Sequence, residues 1–316
     1  MDQRRIKVGV VGVGSLGQWH ARIYSELPTA ELVGVYDINQ ARAAEIAARY
    51  RTRVYPELAD LAAAVEAASI VVPADKHCEV ATLFLERGVH LLVEKPIATR
   101  TRDAEQMVAA AQAANLILQV GHVERFNPVL KYLEGILVQP RFIEAHRLAP
   151  YPPPRKGQPP RGTEISVVLD LMIHDLEIIL HLVRSPVQTI HAVGVPVLSA
   201  SEDIANVRLA FENGCIANVT TSRISPEAMR KFRVFQEDTY ISLDYQRQSG
   251  ELYRKRGTQI ERQRVPLAKG EPLRNELASF LDCVRAHGTP VVGGRQAAEA
   301  LNLAIAICQN IRERAS

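Results

Sequence analysis

Cysteine is scarce in this chain of 316 residues. Cys78, Cys215, Cys283 and Cys308 stand far apart and form no CxxC pair. That argues against structural zinc and for a reduced, cytoplasmic protein. No apolar stretch approaches about 18 residues, so no membrane-spanning helix is expected. The first apolar run stops at a glycine loop and lacks the shape of a signal peptide. An excess of one charge is missing too: 38 Lys and Arg face 35 Asp and Glu, a net charge of +3. Without a long basic run, this balance is too weak to imply a nucleic-acid partner, and none is expected. What is present is ordinary for a globular chain: 47% hydrophobic and 23% charged residues. At roughly 150 residues per domain, two domains are expected.

Short apolar runs at residues 6–13, 32–36, 69–72, 89–93 and 117–120 alternate with helix-patterned stretches such as 40–50, 79–87 and 101–114. Buried strands alternating with helices predict βαβ units and a parallel sheet over residues 1–122. The rhythm changes near residues 121–125. A helix is expected after Pro128, a strand at 141–148, a long buried helix at 167–183 and strands with turn signals from 187 to about 253. Helices at 275–286 and 296–314 close the chain. The second domain, 123–316, is therefore α+β with a mostly antiparallel sheet, and its closing helices fit either domain. Residues 151–162 hold five prolines, two glycines and three basic residues, Arg155, Lys156 and Arg161, which predicts a loop or arm.

Gly12-Val13-Gly14-Ser15-Leu16-Gly17 joins the first strand to a helix. In GxGxxG the first glycine permits the tight turn, the second lets backbone approach a pyrophosphate, and the third brings helix and strand together. Ser15 and Leu16 lie at the helix start, where free N–H groups and the positive dipole end favour phosphate. Asp37 follows Gly17 by about 20 residues, at the end of the second strand. A carboxylate there accepts ribose hydroxyls of NAD and repels the 2′-phosphate of NADP. A plain βα turn with a solvated Asp37 is the alternative.

Ligands of open parallel sheets bind outside the carboxyl ends of the strands. There the sequence places Pro73 and His77, Glu94-Lys95-Pro96, and Gly121-His122. Lys95 follows an apolar strand and precedes a proline, which suits it to hold a substrate oxygen or exchange a proton. A surface lysine paired with Glu94 is the alternative. In residues 167–183, Asp170, His174, Glu177 and His181 fall on one stripe, with Asp175 pointing elsewhere. A carboxylate beside a histidine makes a general base. The stripe also fits a solvated face, or a metal site of Asp170, His174 and His181.

With GVGSLG, EKP at Glu94–Pro96 and DLMIHD at Asp170–Asp175, in this order, the chain resembles the Gfo/Idh/MocA family of NAD(P)-dependent oxidoreductases over its whole length. The resemblance implies that Lys95 and His174 line a sugar site beside the nicotinamide. It also implies a second domain with a large open sheet used for assembly, as a homodimer or homotetramer. GHVERFNP at Gly121–Pro128 and RGTEISVVLDLMIHDLEI at Arg161–Ile178 resemble the branch acting as UDP-N-acetylglucosamine 3-dehydrogenases, linked to lipid A synthesis. Glu164 and the proline insert depart from that branch.

The expected chemistry is oxidation of a ring hydroxyl of a nucleotide sugar. His174 takes the proton, Asp170 orients it and Lys95 steadies the oxygen. Arg125, His122, Arg161 and the arm residues Arg155 and Lys156 are expected near the substrate. A polyol dehydrogenase and a non-catalytic NAD-binding sensor are the rival readings.

Overall fold

The computed structural model describes residues 4–154, 160 and 162–315. The chain divides into two units, one of residues 1–123 and 271–299, the other of 124–270 and 300–316.

The first unit is built on β1 (Ile6–Val11), α1 (Gly17–Glu26), β2 (Ala30–Tyr36), α2 (Gln40–Tyr50), β3 (Arg53–Val54), α3 (Leu58–Ala64), β4 (Ala67–Ile70), α4 (His77–Leu85), β5 (His90–Glu94), α5 (Thr101–Ala113) and β6 (Leu118–Gly121). The strands form a parallel sheet in the order β3-β2-β1-β4-β5-β6. The order reverses between β1 and β4, so the crevice beyond their carboxyl ends is the place where such sheets bind ligands. β4 starts two residues earlier than the apolar pattern suggests, α4 opens at His77, and β3 and α3 were not expected. α8 (Pro272–Ala286) packs Leu277, Phe280 and Leu281 into the same core as Val8, Val10, Ile23 and Leu92.

The second unit opens with α6 (Pro128–Ile136) and β7 (Phe142–Leu148). A π-helical turn over Val168–Met172 then leads into α7 (Ile173–Val183). The remaining strands are β8 (Val187–Val195), β9 (Ile204–Phe211), β10 (Ile216–Ser222), β11 (Met229–Phe235), β12 (Thr239–Asp244), β13 (Ser249–Arg256) and β14 (Gln259–Arg264). α9 spans Gly294–Ala315. The sheet order is β14-β13-β12-β11-β7-β10-β9-β8, antiparallel except for the β7–β10 pair. The expected fold class, a parallel Rossmann unit plus a large, mostly antiparallel sheet, is what the chain adopts.

Alternation sorts the second sheet's faces. Ile143, Ala145, Val207, Val219, Phe232 and Ile241 are buried on one face. The other carries Phe142, Phe235, Tyr240 and Tyr253 in register across four strands. Their ring centroids are 5.4, 4.5 and 5.0 Å apart in sequence.

Candidate active site

The glycine loop has the geometry its sequence requires. Gly12 takes φ +84°, and a Cβ there would lie 2.6 Å from the Val71 carbonyl oxygen, so only glycine fits without strain. At Gly17 a Cβ would run into the Gly12 carbonyl, which explains the third glycine. Gly14 differs, because nothing lies within 4 Å of its Cβ position. Gly14 and Ser15 are exposed, Leu16 is half-buried and Gly17 opens α1. The open space over Gly14 at a helix N-terminus suits a pyrophosphate.

Asp37 is tied to this loop. Its Oδ2 accepts the Val13 N–H at 2.8 Å and its Oδ1 accepts the Asn39 N–H at 2.8 Å. Each oxygen keeps a further lone pair for a ribose hydroxyl. Arg42, which sequence reasoning missed, braces the same loop. Its Nε donates to the Val13 carbonyl at 3.0 Å and its Nη2 to Gln18 Oε1 at 3.0 Å. Its only sequence signal is its place in the first turn of α2. The residues present therefore fit a dinucleotide.

The strand-end residues cluster as expected, but not all face outward. Lys95 is half-buried beyond β5, and the Lys95–Pro96 peptide is cis. Pro73 is exposed before a short 3₁₀ turn at Ala74–Lys76. His77, expected among the strand-end residues that meet the ligand, has its ring turned inward and only 1% exposed. Nδ1 lies 3.0 Å from the Pro96 carbonyl oxygen and Nε2 2.9 Å from that of Val72. The ring ties the end of the β4 segment to the Lys95 loop. Burial lowers its pKa. Glu94 and His122 are buried as well.

In the second unit, Asp170 lies in the π turn, and His174 sits in the first turn of α7, both half-buried. π turns inside helices recur at functional sites. Gly162, at φ +80°, packs its backbone so close under the Asp170 carboxylate that a Cβ would collide with it. The rest of the expected stripe does a different job. Glu177 is buried and accepts from Arg125 Nη1 at 2.6 Å. His181 Nε2 lies 2.7 Å from Glu134 Oε1 and 3.1 Å from Arg125 Nη2. Arg125 was expected near the substrate. Instead it is 8% exposed and engaged with α7.

A second buried ion network was not anticipated. Arg147 on β7 donates Nε and Nη2 to the two Asp175 oxygens at 2.7 and 3.1 Å, and Nη1 to Glu124 Oε1 at 3.1 Å. Burial raises Asp175 and Glu177 above the usual carboxylate range, opposed by Arg147 and Arg125 respectively. Both networks grip the helix that carries His174. Arg155, Lys156 and Arg161 lie outside the described residues. Among the described residues no group of three or more His, Cys, Asp or Glu side chains is arranged to hold a metal. No helix there is long and apolar enough to cross a membrane.

Comparison with known proteins agrees with both halves. Residues 6–122 match the family model described as "Oxidoreductase family, NAD-binding Rossmann fold". Residues 132–242 match the GFO/IDH/MocA C-terminal domain. The chain belongs to the Gfo/Idh/MocA oxidoreductase family. This oxidoreductase is 37% identical over 313 residues to UDP-N-acetylglucosamine 3-dehydrogenase of Acidithiobacillus ferrooxidans, covering 96% of this chain and 97% of that one. A solved structure of the A. ferrooxidans enzyme superposes with a TM-score of 0.91 at 36% identity, covering 97% of this chain and 98% of that one. Myo-inositol 2-dehydrogenase of Thermotoga maritima is 24% identical, with 98% of each chain covered. Levoglucosan dehydrogenase, solved with NADH and levoglucosan, shares the fold at a TM-score of 0.87 and 18% identity, with 98% of each chain covered.

Proposed function

We propose that this oxidoreductase oxidises the C3 hydroxyl of UDP-N-acetylglucosamine to a ketone with NAD. The observation that carries the substrate is the likeness to the A. ferrooxidans enzyme, at 37% identity across 96% of the chain. Asp37 supports NAD over NADP, because a carboxylate at that strand end repels a 2′-phosphate.

Gly12, Gly14, Ser15, Leu16 and Gly17 hold the pyrophosphate, and Asp37 the adenine ribose. NAD held there would supply the acceptor for the hydride that leaves the carbon bearing the hydroxyl. His174 takes the hydroxyl proton, Asp170 orients its ring, and the Lys95 ammonium stabilises the charge that develops on the oxygen. The aromatic row on the outer face of the second sheet supports assembly as a homodimer or homotetramer, since large apolar patches on monomers are uncommon. The proposal includes a cytoplasmic location and a place in lipid A synthesis.

UDP-N-acetylglucosamine deuterated at C3 tests the regiochemistry. The label should appear in the reduced cofactor, with slower turnover than the unlabelled substrate. Label retained in a keto product would move the reaction to another carbon.

A further inference from the structure

Behind the Lys95 loop, the first unit buries a set of polar side chains of which only Glu94 was expected at the ligand. α1 contributes His20 and Tyr24, β4 Ser69, β5 Glu94, β6 Gln119 and α8 Glu276, all of them buried. Strands of a parallel sheet covered on both faces are ordinarily apolar at such positions.

Glu94 is the hub. Its Oε1 lies 3.2 Å from His20 Nε2. Its Oε2 accepts the backbone N–H of Lys95 at 3.3 Å. A Cβ on Gly121 would lie 2.7 Å from Oε1, so the glycine leaves the room this carboxylate needs. Glu94 thereby joins the helix of the glycine loop to the backbone of Lys95. Tyr24 and Ser69 share a hydrogen bond of 2.8 Å beside it.

Glu276 faces the same cluster from α8. Gln119 Nε2 donates to its backbone carbonyl at 3.4 Å. Both carboxyl oxygens of Glu276 and the amide oxygen of Gln119 are buried without a hydrogen-bond partner. Two ionised carboxylates are costly in such a place. A neutral Glu276 removes one of those charges and supplies an O–H donor where the cluster has an unmatched acceptor. Burial, then the charge of Glu94, push Glu276 well above the usual carboxylate range. Tyr24 is raised by burial and by both carboxylates, and stays neutral. The other titratable groups around Glu94 are His20 on α1 and His77 on α4. His77 is held low by burial, though the Glu94 charge pulls the other way.

We propose that Glu276 is a positioning residue: its carboxyl, buried without a hydrogen-bond partner behind the Lys95 loop, stays neutral and so adds no second negative charge near the Glu94 carboxylate that anchors the Lys95 backbone. This rests on the role given to Lys95 above. Ionising Glu276 at alkaline pH would force a second negative charge against Glu94, disturb the Lys95 anchor and lower turnover.

Two readouts on the full-length protein test it. Carbon-13 NMR of glutamate carboxyl groups should show one protonated carboxyl at pH 7 that titrates only in the alkaline range and is absent from Glu276→Gln. Finding every glutamate ionised at pH 7 would overturn the proposal, and this can be read on the wild type even if the variant does not fold. In kinetics, Glu276→Gln should move the alkaline fall of kcat to at least about tenfold lower proton concentration, with NAD affinity within about twofold of wild type. An alkaline limb that superimposes on wild type would reduce Glu276 to packing and overturn the positioning role. Normal turnover in Lys95→Ala would overturn the role given to Lys95, and the positioning role with it, while leaving the NMR signal in place. Loss of the NMR signal with Lys95→Ala inactive would overturn the pair alone.

Discussion

The Asp37 carboxylate accepts the backbone N–H of Val13 at 2.8 Å. The residue proposed to recognise ribose is thus bonded to the loop proposed to cradle pyrophosphate. Asp37→Ala should weaken NAD binding by about tenfold or more and reduce the preference over NADP. Dissociation constants for both dinucleotides check this. An unchanged preference would remove Asp37 from cofactor selection.

Two of the loop glycines should fail differently. Gly14→Ala meets open space in the protein. It should keep its melting temperature but lose NAD affinity by about tenfold or more, because the methyl group stands where phosphate approaches. Gly12→Ala combines φ +84° with a 2.6 Å clash against Val71. It should cost about 2 kcal/mol or more in folding stability. Thermal melts with and without NAD separate the two cases.

Lys95→Ala and His174→Ala should each lower kcat by about 100-fold or more while leaving NAD affinity near wild type. Isothermal titration beside steady-state kinetics checks both halves of this statement.

Asp203 predicts acid sensitivity in the second unit. Its Oδ2 accepts three backbone N–H groups, from Val197, Leu198 and Ser199, at 2.8, 2.6 and 2.8 Å, and its Oδ1 accepts from Arg223 Nε at 2.7 Å. Burial opposes the charge, but Arg223 and the amides outweigh it and hold the carboxyl well below the usual range. The folded pKa is depressed, so its stabilisation is complete above the unfolded value of about 3.9 and is lost progressively as pH falls from there towards the much lower folded value. Asp203→Asn should cost about 3 kcal/mol at neutral pH and flatten the acid limb of the stability curve. Denaturant melts between pH 7 and pH 3 read both effects.

The open face of the second sheet should hold copies of the chain together. Sedimentation of the wild type should give a dimer or tetramer, and Tyr240→Glu, in the middle of the aromatic row, should shift it towards monomer. A monomeric wild type at micromolar concentration would contradict this.

Much of this was legible before the structure. β1, the glycine loop, Asp37 and the Glu94-Lys95-Pro96 turn stand out because apolar runs and glycine or proline punctuation are local signals. β3 and α3 were missed because a two-residue strand and a seven-residue, alanine-rich helix leave little pattern. The ion-pair partners of α7 were not legible. Arg125, which pairs with Glu177, comes from 52 residues away, and Arg147, which pairs with Asp175, from 28. No helical periodicity contains such partners. Glu276 looks like an ordinary polar residue of α8 until packing buries it completely.

The most direct test of the central claim is absorbance at the NADH band, with NAD and UDP-N-acetylglucosamine, other UDP-sugars, glucose or myo-inositol as substrates. The account predicts a rise with UDP-N-acetylglucosamine and none with the free sugar or polyol. A rise only with glucose or inositol, or silence across the panel in protein that binds NAD, would contradict it.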